Sequence, residues 1–328
     1  MSTSPIPPGR RGGMSRRDLR AVVVFVLVAY AVAWLIALPL WLGDGLASPW
    51  FPVVSVAMMV APTIAALVTM LTVDRPRSIP RRLGIWPLRP VGRLLAYLAL
   101  GLVVPMLLVL AALPLGTALG LYPADLQNFS AFRELTEAQL RAAGQSGLSA
   151  PIEVLVIAQL VSIPVGALLN MVPALGEELG WRGWLLPKLM PLGTPWALVL
   201  SGIIWGLWHA PVILLGYNYP GAPGWLGLLC MVGMCIVVGG VFGWLRLRSE
   251  SVWPAALAHG AFNATAGSYL LFAQAGQPID TTQATILGWS GWILPLALVV
   301  VLLATNQFRA RTGAGPGGEH LPSGPQGS

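Results

Sequence analysis

The chain has 328 residues, of which 56% are hydrophobic and only 9% charged, and its formal net charge is +7. Soluble domains carry about 25% charged residues, so the composition excludes an ordinary soluble enzyme and implies a polytopic membrane protein. The cations sit in short arginine clusters between apolar runs, the pattern that orients membrane proteins, which argues for the lipid bilayer as partner and against nucleic acid. The scarcity of charge also excludes a transmembrane β-barrel, which needs a polar lumen and alternating strands.

Residues 1–20 form a basic leader rich in Pro, Gly and Arg. The apolar run from about Ala21 to Leu42 exceeds the ~7–15 residues of a signal-peptide core and reads as a retained span. Further runs at about 51–73, 94–121, 152–175, 196–217, 224–245, 252–273 and 284–304 raise the expected spans to eight. Each is near the ~20 residues that a spanning helix needs. The expected fold is therefore all-α. Its parts are N-terminal transmembrane helices over 21–121, a helical core over 150–275, a last transmembrane helix over 284–304 and a disordered tail over 312–328.

Loop charges support an even number of spans. Arginine is concentrated in the leader and in the loop from Arg75 to Arg93, and recurs at Arg182, Arg246, Arg248, Arg309 and Arg311. Positive segments stay on the cytoplasmic side, so both termini are expected there, in a multi-pass protein of the cell membrane. Segment 122–150 falls on the other side. It holds either a short amphipathic helix over about Ser130 to Ala143, with Phe132, Leu135 and Leu140 at the interface, or a solvated loop. Cys230 and Cys235 are five apart in one apolar run. That spacing sets them on different helix faces, as buried, inert thiols rather than a redox pair.

Three polar clusters interrupt the apolar runs: Glu177-Glu178-Leu-Gly-Trp-Arg182, Trp205-Gly-Leu-Trp-His209 and His259-Gly-Ala-Phe-Asn263. Ionisable groups inside spans are costly and mark functional sites. Two of the chain's three histidines lie here, and the third, His320, lies in the tail. Pro173 and Gly176 introduce a kink or a new helix start before the first cluster. Glu178 and Arg182 are spaced i,i+4 and can pair on one face, which leaves Glu177 without a local cation. A partly desolvated carboxylate can act as a general base toward water, or Glu177 can simply be solvated at the membrane boundary. His209 can be a core histidine bonded to a carbonyl. Asn263 can orient His259, hold a substrate carbonyl, or serve with His259 as a contact between helices. One carboxylate, two imidazoles and one amide together could activate water and stabilise an oxyanion.

The order EExxxR, aromatic-xxx-His, HxxxN resembles the CAAX-protease and bacteriocin-processing family of intramembrane proteases, to which the Ras-converting CAAX endopeptidase belongs. The resemblance covers about residues 150–275. It implies that Glu177 activates the hydrolytic water, that Glu178 and Arg182 support it, that His209 and His259 line the site, and that Asn263 helps hold the oxyanion. The second motif commonly has Phe where this chain has Trp205, a bulkier ring at a packing position. Family members are described both as metalloproteases and as glutamate proteases. Glu with two His is a known zinc set, so a zinc held by Glu177, His209 and His259 and a metal-free glutamate mechanism both remain open. The substrate implied is a membrane protein or lipidated peptide. The rival expectations are a non-catalytic scaffold, a bacteriocin self-immunity protein, and a proton-coupled transporter, the last of which predicts internal repeats that this sequence does not display.

Overall fold

In a computed structural model, which describes residues 13–145 and 147–308, the chain is all-α. The first residues of the basic leader, the 312–328 tail, His320, Arg309 and Arg311 lie outside the described residues. Helix α1 (Arg16–Leu42) begins five residues before the apolar run because Ser15 caps it, its side chain accepting the Asp18 amide at 3.1 Å. Next come α2 (Phe51–Met58) and α3 (Ala61–Thr69), which continues as a π-helical turn over Met70–Asp74. Short α4 (Ile79–Leu83) lies in the arginine-rich loop, and α5 (Val91–Ala118) crosses back.

Segment 122–150 does hold a helix, α6 (Ser130–Ala142), with Phe132 buried and Leu135 exposed. Helix α7 (Ile152–Glu178) is continuous past Pro164 and Pro173, so no new helix starts before the first cluster. Instead the helix widens after Glu178 into a π-helical stretch, Leu179–Leu185, before α8 (Leu186–Leu189). The fifth apolar run is broken at His209 into α9 (Thr194–Trp208) and α10 (Ala210–Ile213), with Pro211 at the second position of α10. Helix α11 (Gly224–Ser249) is followed by α12 (Trp253–Ala266), α13 (Tyr269–Phe272), a 3-10 turn over Trp289–Trp292 and α14 (Ile293–Ala304).

Among the described residues, five helical segments are long and apolar enough to cross a membrane: Arg16–Leu42, Phe51–Asp74, Val91–Ala118, Ile152–Leu192 and Gly224–Ser249. Thr194–Trp208 and Trp289–Ala304 are apolar but shorter. The remaining apolar run, 252–273, is α12 and α13.

The packing partners are α12 with α7 and α5, α9 with α11, and α1 with α3. Small residues allow these approaches, as they do where helices associate in lipid. On α9, a Cβ added at Gly202 or Gly206 would come within 2.5 Å of the α11 backbone at Ile236 and Val232. Gly260 of α12 lies directly against the α7 backbone at Ala167 and Met171. Large aliphatics on the outer face of α7, such as Val161 at 70% and Leu169 at 70% exposure, project away from the bundle as lipid-facing side chains do.

A polar brace ties the arginine-rich end together. Lys188 Nζ contacts Asp18 at 2.7 Å and Asp74 at 2.8 Å, and Trp184 Nε1 donates to Asp74 at 2.9 Å. Helix α1, the end of α3 and the helix behind the first cluster are thereby joined.

Candidate active site

The end of α7 and its π-helical extension bring Glu177, Glu178, Trp181 and Arg182 into the bundle. All four are buried, Glu177 at 3% and Glu178 at 0% exposure. Burying a carboxylate is costly unless it is paired or hydrogen-bonded, and the two glutamates meet this requirement differently. Glu178 Oε1 takes Arg182 Nη1 at 2.8 Å and His259 Nδ1 at 2.9 Å. Among the described residues, Glu177 has no cation against it. Its Oε2 accepts two indole N–H groups, from Trp181 at 3.1 Å and Trp205 at 2.8 Å. Its Oε1 makes no hydrogen bond among the described residues.

Arg182 is held by more than its ion pair. Its guanidinium carbon lies 4.2 Å from the centre of the Trp205 ring and 5.3 Å from that of Phe242. Such stacking suits the planar, weakly hydrated guanidinium. Gly239 makes the room: a Cβ there would come 2.8 Å from Arg182 Nη2.

His259 stacks on Phe242 at 5.6 Å and meets Trp205 edge-on at 5.4 Å. Its orientation is set by Glu178 and not by Asn263, because the hydrogen bond to Nδ1 comes from the carboxylate. Asn263 lies one turn further along α12 and is exposed. His209, half-buried where α9 ends, has Nδ1 2.9 Å from the Trp205 carbonyl. A carbonyl only accepts, so Nδ1 carries the proton and a neutral ring offers Nε2 as an acceptor. The bond is the one expected of a core histidine, but Trp205, which supplies that carbonyl, also donates to Glu177.

The structure thus gathers Glu177, Glu178, Arg182, Trp205 and His259 around shared contacts, and sets His209 and Asn263 at their edge. Two roles go beyond the motif pattern: Trp181, inside the first motif, and Trp205, a packing position in the second, both donate to Glu177. Two buried polar atoms nearby, Glu178 Oε2 and Trp208 Nε1, have no hydrogen-bond partner among the described residues. Such orphans cost about 1–3 kcal/mol each; Arg93 Nε, Trp244 Nε1 and Arg246 Nε, outside the site, are in the same state.

A zinc ligand set needs donors converging on one point at ~2.0–2.2 Å. Among the described residues no three of His, Cys, Asp and Glu are so gathered. The donor arrangement does not fit a zinc held by Glu177, His209 and His259.

A relative, CAAX prenyl protease 2 of Methanococcus maripaludis, is 27% identical over 157 residues, which are 46% of this chain and 54% of the relative. The chain therefore spans about half the length of this curated relative. Residues 159–265, the stretch that carries all three motifs, match the type II CAAX prenyl endopeptidase Rce1-like family.

Proposed function

We propose that the chain is an intramembrane endopeptidase that hydrolyses a peptide bond in a membrane protein or lipidated peptide, without a metal, using Glu177 as general base. The observation that carries this reading is Glu177 itself. It is a buried carboxylate without a cation, one oxygen fixed by two indole N–H groups and the other left without a partner. Two donors on Oε2 fix the direction of the carboxylate, so Oε1 can take a proton from water.

The remaining roles are those that the resemblance to the CAAX-protease family suggests for His209, His259 and Asn263. His209, with Nδ1 committed to a carbonyl, offers Nε2 to the second proton of the attacking water. His259 and Asn263, one turn apart, face the oxyanion. Asn263 donates through its amide, and His259 presents Nε2 there, with its ring fixed by the Glu178 carboxylate on Nδ1. Water adds to the carbonyl carbon as Glu177 takes its proton. The C–N bond then breaks, and that proton returns to the leaving amine. Arg182 neutralises Glu178 and positions it.

The arginine-rich loops are assigned to the cytoplasmic side by charge. Glu177 lies near that end of α7, so the site opens toward the cytoplasm. The family match and the archaeal relative support a CAAX-type, lipid-modified substrate.

The test is cleavage of prenylated and hydrophobic peptides by purified full-length protein. Removal of a general base costs roughly 100- to 10,000-fold, so Glu177→Gln should lose at least ~100-fold with an unchanged melting midpoint. Wild-type cleavage should persist in the presence of a strong chelator. Full cleavage by Glu177→Gln would end the mechanism, and chelator-sensitive cleavage would end its metal-free form.

A further inference from the structure

A cavity of about 350 Å³ opens between α6, α7 and the end of α12, away from the arginine-rich end. Phe132 and Leu135 of α6 close one side, Gln159, Ser162 and Asn170 of α7 form the wall, and Gly267 lies beyond the end of α12. Its size is that of a ligand site, ~300–1,000 Å³.

Two relationships connect this cavity to the proposed active site. The first is helical phase. Gln159 and Glu177 are eighteen residues apart, five full turns at ~3.6 residues per turn. Gly166 and Asn170 fall on the same stripe, so the flank of α7 that walls the cavity also carries Glu177. On α12 the order is His259, Asn263, Gly267 at successive turns. The second is chemistry. In hydrocarbon, every backbone N–H and C=O needs a partner, and an extended peptide cannot supply its own. A pure lipid site needs no side-chain amides, yet this wall presents a carboxamide, a hydroxyl and a second carboxamide. Asn170 Nδ2 is turned back onto the Gly166 carbonyl at 2.9 Å and Ser162 Oγ onto the Gln159 carbonyl at 2.7 Å. Each keeps an acceptor for an incoming N–H, while Gln159 makes no side-chain hydrogen bond among the described residues and is exposed.

We infer that this cavity is a groove that binds an extended stretch of the substrate polypeptide on one side of the scissile bond. The inference rests on the proposed peptidase reading and adds the substrate's conformation and register to it. Asn170 lies about 10 Å along the helix from Glu177, at 1.5 Å per residue. An extended chain covers that in about three residues, and the groove from Asn170 to Gln159 in about five more. The groove therefore reads positions about three to eight residues from the cleaved bond. A substrate that remains helical up to the cleaved bond does not enter it.

The test reads binding directly. Ten-residue alanine–leucine peptides with a photoreactive group at either end are irradiated with full-length Glu177→Gln protein in nanodiscs. Labelling is expected on α7 between residues 159 and 170, from one end of the peptide only, and competed by unlabelled peptide. Gly267→Phe should lower it at least tenfold at an unchanged melting midpoint, because a Cβ at Gly267 meets nothing within 4 Å and the ring has open space to fill. Gln159→Leu should lower it several-fold. Labelling unaffected by Gly267→Phe, spread evenly over the outer helix faces, or displaced by a diacyl phospholipid but not by peptide overturns the groove. Groove labelling without any cleavage by wild type counts against the peptidase reading alone.

Discussion

Trp205 Nε1 lies 2.8 Å from Glu177 Oε2, so the aromatic of the second motif donates a hydrogen bond to the carboxylate of the first. The same ring lies under the Arg182 guanidinium, and the carbonyl of the same residue holds His209. One residue therefore touches four members of the site: Glu177 through its indole N–H, Arg182 and His259 through its ring, and His209 through its carbonyl.

Trp205→Phe keeps a ring for Arg182 and the carbonyl for His209, and removes only the indole donor. A hydrogen bond to a charged group contributes about 1.5–3 kcal/mol. Lost from an oriented base, that corresponds to roughly 10- to 100-fold in rate. The expected outcome is a fall in kcat of that size with little change in KM. An unchanged kcat would show that Trp181 alone orients Glu177.

Arg182→Met leaves Glu178 buried without its guanidinium. Breaking a buried pair from one side costs about 3–5 kcal/mol, whereas replacing both partners is often close to neutral. Thermal unfolding in detergent should show a large drop for Arg182→Met and a partial recovery for Arg182→Met with Glu178→Gln. Cleavage should not recover in the double variant, since His259 has then lost its orienting carboxylate.

Much of this site could be read from the chain, and the reason is spacing. Glu178 and Arg182 are i,i+4, and the ion pair between them is local. Trp181 stands in the same relation to Glu177, so its bond was equally available to that reasoning. The contacts that spacing could not supply are the distant ones. His259 meets Glu178 across 81 residues, and no helical period predicts which of two adjacent carboxylates it will choose. Apolar runs located the helices well, but hydrophobicity does not register where a helix breaks. His209 divides one run, with Pro211 in the first turn of the short helix that follows, while α7 continues through two internal prolines.

Asp125 gives the fold a pH dependence outside the membrane. The Ser130 hydroxyl, followed by the amides of Asn128, Ser130 and Gln127, holds its carboxyl down to about 2. The unfolded value is near ~3.9, so the ionised cap favours the folded loop fully above about pH 4 and loses that effect as pH falls through about 2. A spin label at Gln127 should gain mobility only in that acid range. In Asp125→Ala it should be mobile already at neutral pH.

Gly206 keeps α9 against α11. A Cβ there would overlap the Val232 backbone, and overpacking costs about 1–3 kcal/mol. Gly206→Val should lower the melting midpoint and also reduce cleavage at least tenfold, because α9 carries both Trp205 and His209. A variant that loses stability but keeps its cleavage rate would separate the site from this helix contact.

The wide turn from Leu179 to Leu185 also bears on how the protein can vary. A π-helical stretch holds more residues per turn than the helix on either side, so it stores slack in the chain. Removing one residue there would let the segment relax into a regular helix without breaking it. A π-helical stretch turns through less angle per residue than a regular helix, so everything downstream would keep nearly the same phase and Lys188 would stay against Asp18 and Asp74, while Trp181 and Arg182, inside the stretch, would change their facing toward Glu177 and Glu178. The segment can therefore absorb a length change as a fold and not as a site, and single-residue deletions within it should yield intact but silent proteins.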